Sequence, residues 1–134
     1  MELPWLSRWQ PQLLAILRIV TGLLFLEHGL SKYFAFPVPF PVHPLTPMFM
    51  AAGAIELITG TLITIGLFTR LAAFVASGEM AFAYFIGHFP KSFWPAANMG
   101  ENAILLCFIF LYLAAAGAGA WSIESARMRN APIR

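Results

Sequence analysis

The chain has 134 residues, 60% of them hydrophobic and only 10% charged, with a mean hydropathy of +0.76. A soluble domain carries about 25% charged residues, so this composition specifies an integral membrane protein. The net charge is +2 and the basic residues are scattered rather than striped, which excludes the footprint of a nucleic-acid binder; the single cysteine, Cys107, excludes an internal disulfide or a dithiol relay.

At about 20 residues per span, the chain has room for four helices and little else. We read an all-α membrane protein, an antiparallel four-transmembrane-helix bundle forming one domain over residues 1–134. The opening MELPWLSRWQPQ sets Trp5 and Trp9 around Arg8, a pattern suited to the headgroup region. No small-residue cleavage signal follows, so the first span is expected to be retained. That span, residues 12–34, carries Arg18, Glu27, His28 and Lys32. An ionisable group costs about 2.5 to 3.5 kcal/mol at the centre of a membrane helix, so such residues need partners. At about 100° per residue, Arg18, Thr21, Gly22, Phe25, His28, Gly29 and Lys32 share one side, expected to face protein or a wet cavity. Glu27 lies off that stripe and looks toward another neighbour.

Five prolines in residues 37–47 remove backbone donors and fix φ, which predicts a loop partly buried by its own phenylalanines. Residues 48–68 form the second span, with Glu56 on a face shared with Gly53, Thr59 and Gly60, small residues that permit close helix approach. The connection around Arg70 is so short that the third span, residues 71–89, must return beside the second. It carries Glu79 near its middle and His88 at its end. A second aromatic, proline-punctuated segment leads to the fourth span, residues 101–120, with Asn98 and Glu101 at its entry. Arg8, Arg70, Arg127, Arg129 and Arg134 then lie at one end, against Lys32 and Lys91 at the other, and the positive-inside rule puts both termini in the cytoplasm.

The four spans carry one glutamate each, but a di-iron bundle needs Glu-x-x-His on two helices, and here Leu30, Thr59, Phe82 and Ile104 occupy the third positions. The ligand types, though not their spacing, allow a mononuclear metal between His28, His88 and a glutamate; no metal is assigned. Plain structural duties compete with chemistry at several positions. Glu101 follows Asn98 at the spacing of a capping box. Arg18 with Glu79 reads as a structural ion pair, Lys32 as a side chain snorkelling to the interface, and Cys107 as packing. His28 and Glu56 are harder to assign to structure, because a buried histidine and carboxylate at one depth exchange protons near neutral pH.

The segments RIVTGLLFLEHGLSK, AGAIELITGTLITIGLFTRLAA, GEMAFAYFIGHFPKSFWP and NMGENAILLCFIFLYLAAAGAGAWS together resemble the DoxX family of small bacterial membrane proteins over nearly the whole chain. The resemblance implies a four-helix bundle in the bacterial plasma membrane. It also implies kinship with oxidoreductases, among them a thiosulfate:quinone oxidoreductase and members of quinone- or catechol-response operons. It carries no established catalytic residues, and fold kinship does not fix chemistry.

The leading reading is a membrane oxidoreductase subunit that holds a quinone or related aromatic in a pocket in the outer half of the bundle. His28, Glu56 and Glu101 are the catalytic candidates. Phe25, Glu27, Lys32, Tyr84, His88, Trp94 and Asn98 are the binding candidates, with His88 at the rim. No flavin or nicotinamide fingerprint is present, so electrons imply a redox partner protein; the bilayer and a small-molecule ligand are the other partners, and a homo-oligomer is compatible. The alternatives are a non-catalytic carrier or sensor using the same cavity, and an assembly subunit of a redox complex whose polar residues lock helices.

Overall fold

The computed structural model describes residues 2–132, in which every regular element is helical. A short α1 (Pro4–Ser7) precedes α2 (Gln10–Phe34), α3 (Pro47–Ile65) and α4 (Thr69–Ala83). From α4 the chain continues through a π-helical turn, Tyr84–His88, and a 3-10 turn, Phe89–Lys91. Then come α5 (Pro95–Asn98), α6 (Glu101–Ala116) and α7 (Ile123–Arg129). Proline opens α1, α2, α3 and α5, where its missing N–H has no helical acceptor to lose.

The span limits shift where the backbone turns left-handed. The second span ends at Ile65 rather than 68, because Gly66 takes φ +70° and closes the helix. The fourth ends at Ala116 rather than 120, because Gly117 and Gly119 take φ +87° and +70°. Among the described residues three helices are long and apolar enough to cross a membrane: Gln10–Phe34, Pro47–Ile65 and the continuous Thr69–Lys91. The 16 residues of α6 rise only about 24 Å at 1.5 Å each, short of the roughly 30 Å hydrocarbon core.

Packing organises the bundle as two tight pairs, α2 on α3 and α4 on α6, joined through α3 and α4, while α2 meets α6 sparingly. Glycines set the first pair. A Cβ on Gly22 would meet Thr64 at 2.6 Å, on Gly29 Leu57 at 2.8 Å, on Gly60 the Leu26 backbone at 2.8 Å and on Gly53 Tyr33 at 2.7 Å. Both helices therefore present glycine to the other every seven residues, with Gly22, Gly29 and Gly60 against backbone and Gly53 against the Tyr33 ring, the close approach that membrane helices rely on where no hydrophobic effect drives association. The second pair uses Ala72, Ala73, Ala76 and Ala103, with Ser77 donating to the Cys107 carbonyl at 2.8 Å. Phe25 and Phe110 meet edge to face between the pairs, centroids 4.9 Å apart. Outside, Leu13, Ile16, Val20, Leu23, Phe74, Phe82, Leu105 and Phe108 are exposed, the apolar belt that lipid covers.

Candidate functional site

Lys32 does not snorkel. It sits on the inward stripe of α2 and is buried with Glu56 of α3, its Nζ 2.8 Å from Oε1 and 2.7 Å from Oε2. The residues are 9% and 3% exposed, and the Phe40 ring of the proline-rich loop covers the ammonium at 4.8 Å. This is the only ion pair among the described residues. A buried charge is retained only when paired and hydrogen-bonded, and this one is.

The expected Arg18–Glu79 pair is not formed. Arg18 is fully buried and spends all five of its donors on backbone carbonyls: Nε on Ala118 at 2.8 Å, one terminal nitrogen on Ile63 and Thr64 at 2.9 and 2.6 Å, the other on Ala120 and Trp121 at 3.1 and 2.8 Å. Carbonyls at the end of α3 carry the negative pole of that helix, and together with the turn after α6 they satisfy the guanidinium's donors without a carboxylate. Glu79 is left with a buried Oε2 that has no hydrogen-bond partner, within electrostatic reach of Glu56 and Lys32.

Glu79 opens into a groove of about 560 Å³ between the first turns of α3 and the second half of α4 with its π-helical turn. Met48, Phe49, Ile55, Val75, Phe82 and Ile86 wall it, and Glu79 and His88 are its two ionisable residues. Gly78, also in the wall, has open space where a side chain would project.

A second polar cluster holds the rim. Asn98 is fully buried; its amide donates to the Ser92 carbonyl at 2.9 Å and the Tyr84 hydroxyl at 3.3 Å, and its Oδ1 accepts from Gly100 N at 2.8 Å. The Asn98 carbonyl lies 3.0 Å from His88 Nδ1. A carbonyl only accepts, so Nδ1 is the donor in this contact.

The remaining sequence candidates are dispersed. His28 is exposed: it lies about 60° round the helix from the buried Phe25 by helical geometry. Glu101 is exposed and makes no capping bond, α6 being capped by Gly100 without a side chain. The capping-box spacing fails because Met99 turns left-handed, φ +62°, and carries Asn98 inward. The expected convergence of His28, Glu56 and Glu101 is therefore not seen, and none of the three lines the groove. Phe25 is core, Trp94 is 68% exposed, and Glu27 is half-buried. Among the described residues no three His, Cys, Asp or Glu side chains gather to hold a metal, so His28 and His88 do not share a metal site with a glutamate. The groove walls from α3 escaped sequence reasoning because an apolar face toward a cavity and one toward lipid read alike.

The fold, the buried Lys32–Glu56 pair and the buried Arg18 define a helical membrane protein with ionisable groups held in its interior. The DoxX family model matches residues 13–89, and the chain belongs to that family. A Haemophilus influenzae relative, described as an uncharacterized protein, is 41% identical over 126 residues, covering 90% of this chain and 94% of its own. A Mycobacterium tuberculosis relative, described as an uncharacterized membrane protein, is 25% identical over 134 residues, covering 85% of this chain and 80% of its own. No solved structure matches the chain.

Proposed function

We propose that this protein is a membrane oxidoreductase subunit that binds a quinone or related aromatic in the groove between α3 and α4. The reading rests on one observation: a glutamate at membrane depth, with a carboxylate oxygen that no residue satisfies, facing an apolar groove. Buried polar groups are costly without a partner, and an intramembrane ionisable residue beside an apolar groove is where a ligand's polar head belongs. When a quinone is reduced there, Glu79 hydrogen-bonds one ring oxygen and delivers one proton, His88 at the rim passes the second proton from water to the other oxygen, and two electrons come from a partner protein, so the ligand leaves as the quinol. The Lys32–Glu56 pair behind the groove keeps the second carboxylate compensated. Both termini lie on the cytoplasmic side of a bacterial inner membrane, which sets the groove in the outer half.

The test is titration of protein in lipid nanodiscs with a short-chain benzoquinone and its quinol. Saturable binding that Glu79→Leu abolishes and Glu79→Gln weakens, with both variants monodisperse, is the expected result. Binding without turnover when an electron donor is supplied selects the carrier reading; unchanged binding in Glu79→Leu rejects the groove.

A further inference from the structure

We infer that the cleft at the arginine-rich end of the bundle is a site for the phosphate of an anionic phospholipid headgroup. The cleft measures about 550 Å³ and lies where α6 ends and α7 begins, lined by Arg70, Arg129, Gly117, Gly119, Glu124 and Met128 among others. Arg70 is aimed by donation to the terminal carbonyls of α6, those of Ala114, Ala115 and Ala116. These acceptors are neutral carbonyls, so no carboxylate offsets the guanidinium there. Its terminal nitrogen would stand 3.1 Å from a Cβ on Gly117; glycine there leaves the guanidinium uncovered toward the cleft.

Glu124, the one acid of the lining, is committed to the backbone, its Oε1 accepting from Thr69 N at 3.0 Å. Arg129 is exposed on the last turn of α7. Neither arginine has an acidic partner among the described residues. Arginine is the side chain whose planar fork matches phosphate oxygens. A lipid source is favoured over a soluble phosphate because the lip of the cleft is apolar: Met128 is 78% exposed and Trp121, next to the lining residue Ser122, is 61% exposed. Indoles at such positions sit at headgroup level, and acyl chains would lie along them.

The experiment is native mass spectrometry of the full chain in neutral detergent, offered phosphatidylglycerol and phosphatidylcholine of matched chains. A basic residue at a membrane surface contributes about a fivefold preference for an anionic lipid, so the pair gives about 25-fold. Arg129→Gln should cut that preference about fivefold, and Arg70→Gln with Arg129→Gln should remove it. Arg8→Gln, at the same end but stacked on Trp9, should leave it unchanged. Arg70 also caps α6, so Arg129→Gln decides the matter if the double variant does not fold. Equal retention of the two lipids, an unchanged preference in Arg129→Gln, or displacement of the lipid by equimolar glycerol phosphate or inorganic phosphate would overturn the assignment.

Discussion

Removing the Lys32 ammonium leaves the Glu56 carboxylate in a low-dielectric interior with nothing to compensate it. Breaking a buried pair from one side costs about 3 to 5 kcal/mol, whereas replacing both partners by apolar groups of similar volume is often neutral. Lys32→Met should therefore lower the thermal midpoint in detergent sharply, and Lys32→Met with Glu56→Met should restore most of it. A double variant as unstable as the sum of the two singles would show that the pair is not the unit. Arg18 behaves differently, since its five bonds go to carbonyls. Lysine offers three donors, so Arg18→Lys leaves at least two carbonyls unmatched, a loss of roughly 2 kcal/mol or more. Because Arg18 does not touch Glu79, the changes Arg18→Lys and Glu79→Gln should add; a midpoint in the combined variant above the additive value would revive the pairing.

At the scale of elements, the α2–α3 contact and the groove make opposite demands on glycine. A side chain at Gly60 would run into the Leu26 backbone at 2.8 Å, and backbone cannot step aside as a flexible side chain can. Gly60→Val should force the helices apart and cost stability on the scale of overpacking, about 1 to 3 kcal/mol, seen as a lowered midpoint or loss of monodisperse protein. Gly78 has nothing within 4 Å of its would-be Cβ, so Gly78→Leu should fold as well as the parent. It would occupy the groove instead, and quinone binding should fall while the midpoint holds. A Gly78→Leu protein with undiminished affinity would move the ligand elsewhere.

For the whole molecule, orientation is the property that links the two ends. Exposed Arg8, Arg70, Arg127 and Arg129 share the end closed by Arg18, and positive charge is retained on the cytoplasmic side. In a Cys107→Ala background, a cysteine at Val42 should be labelled by an impermeant maleimide added to intact cells, and one at Met128 only after the membrane is opened. The reverse pattern would invert the bundle.

Membrane class, the all-helical architecture and family were legible in the residues themselves. Apolar runs of span length have one physical outcome in a bilayer, and prolines at 37–47 and glycines at 117 and 119 punctuate the helices by local backbone chemistry that needs no partner. The need for partners at Arg18 and Glu79 was equally legible, because the desolvation cost belongs to each side chain alone; Lys32 was not read so, because a lysine near a helix end can reach the interface by its own length. Who partners whom was not, since that depends on the register of one helix against another. The contacts of Gly22 with Thr64, Gly29 with Leu57 and Gly60 with Leu26 set a register that brings Lys32 to Glu56. The end of α3 and the turn after α6 bring five carbonyls to Arg18, so Glu79 is left to the groove. Backbone acceptors are present at every position of every sequence, and only tertiary structure decides which of them a buried guanidinium meets.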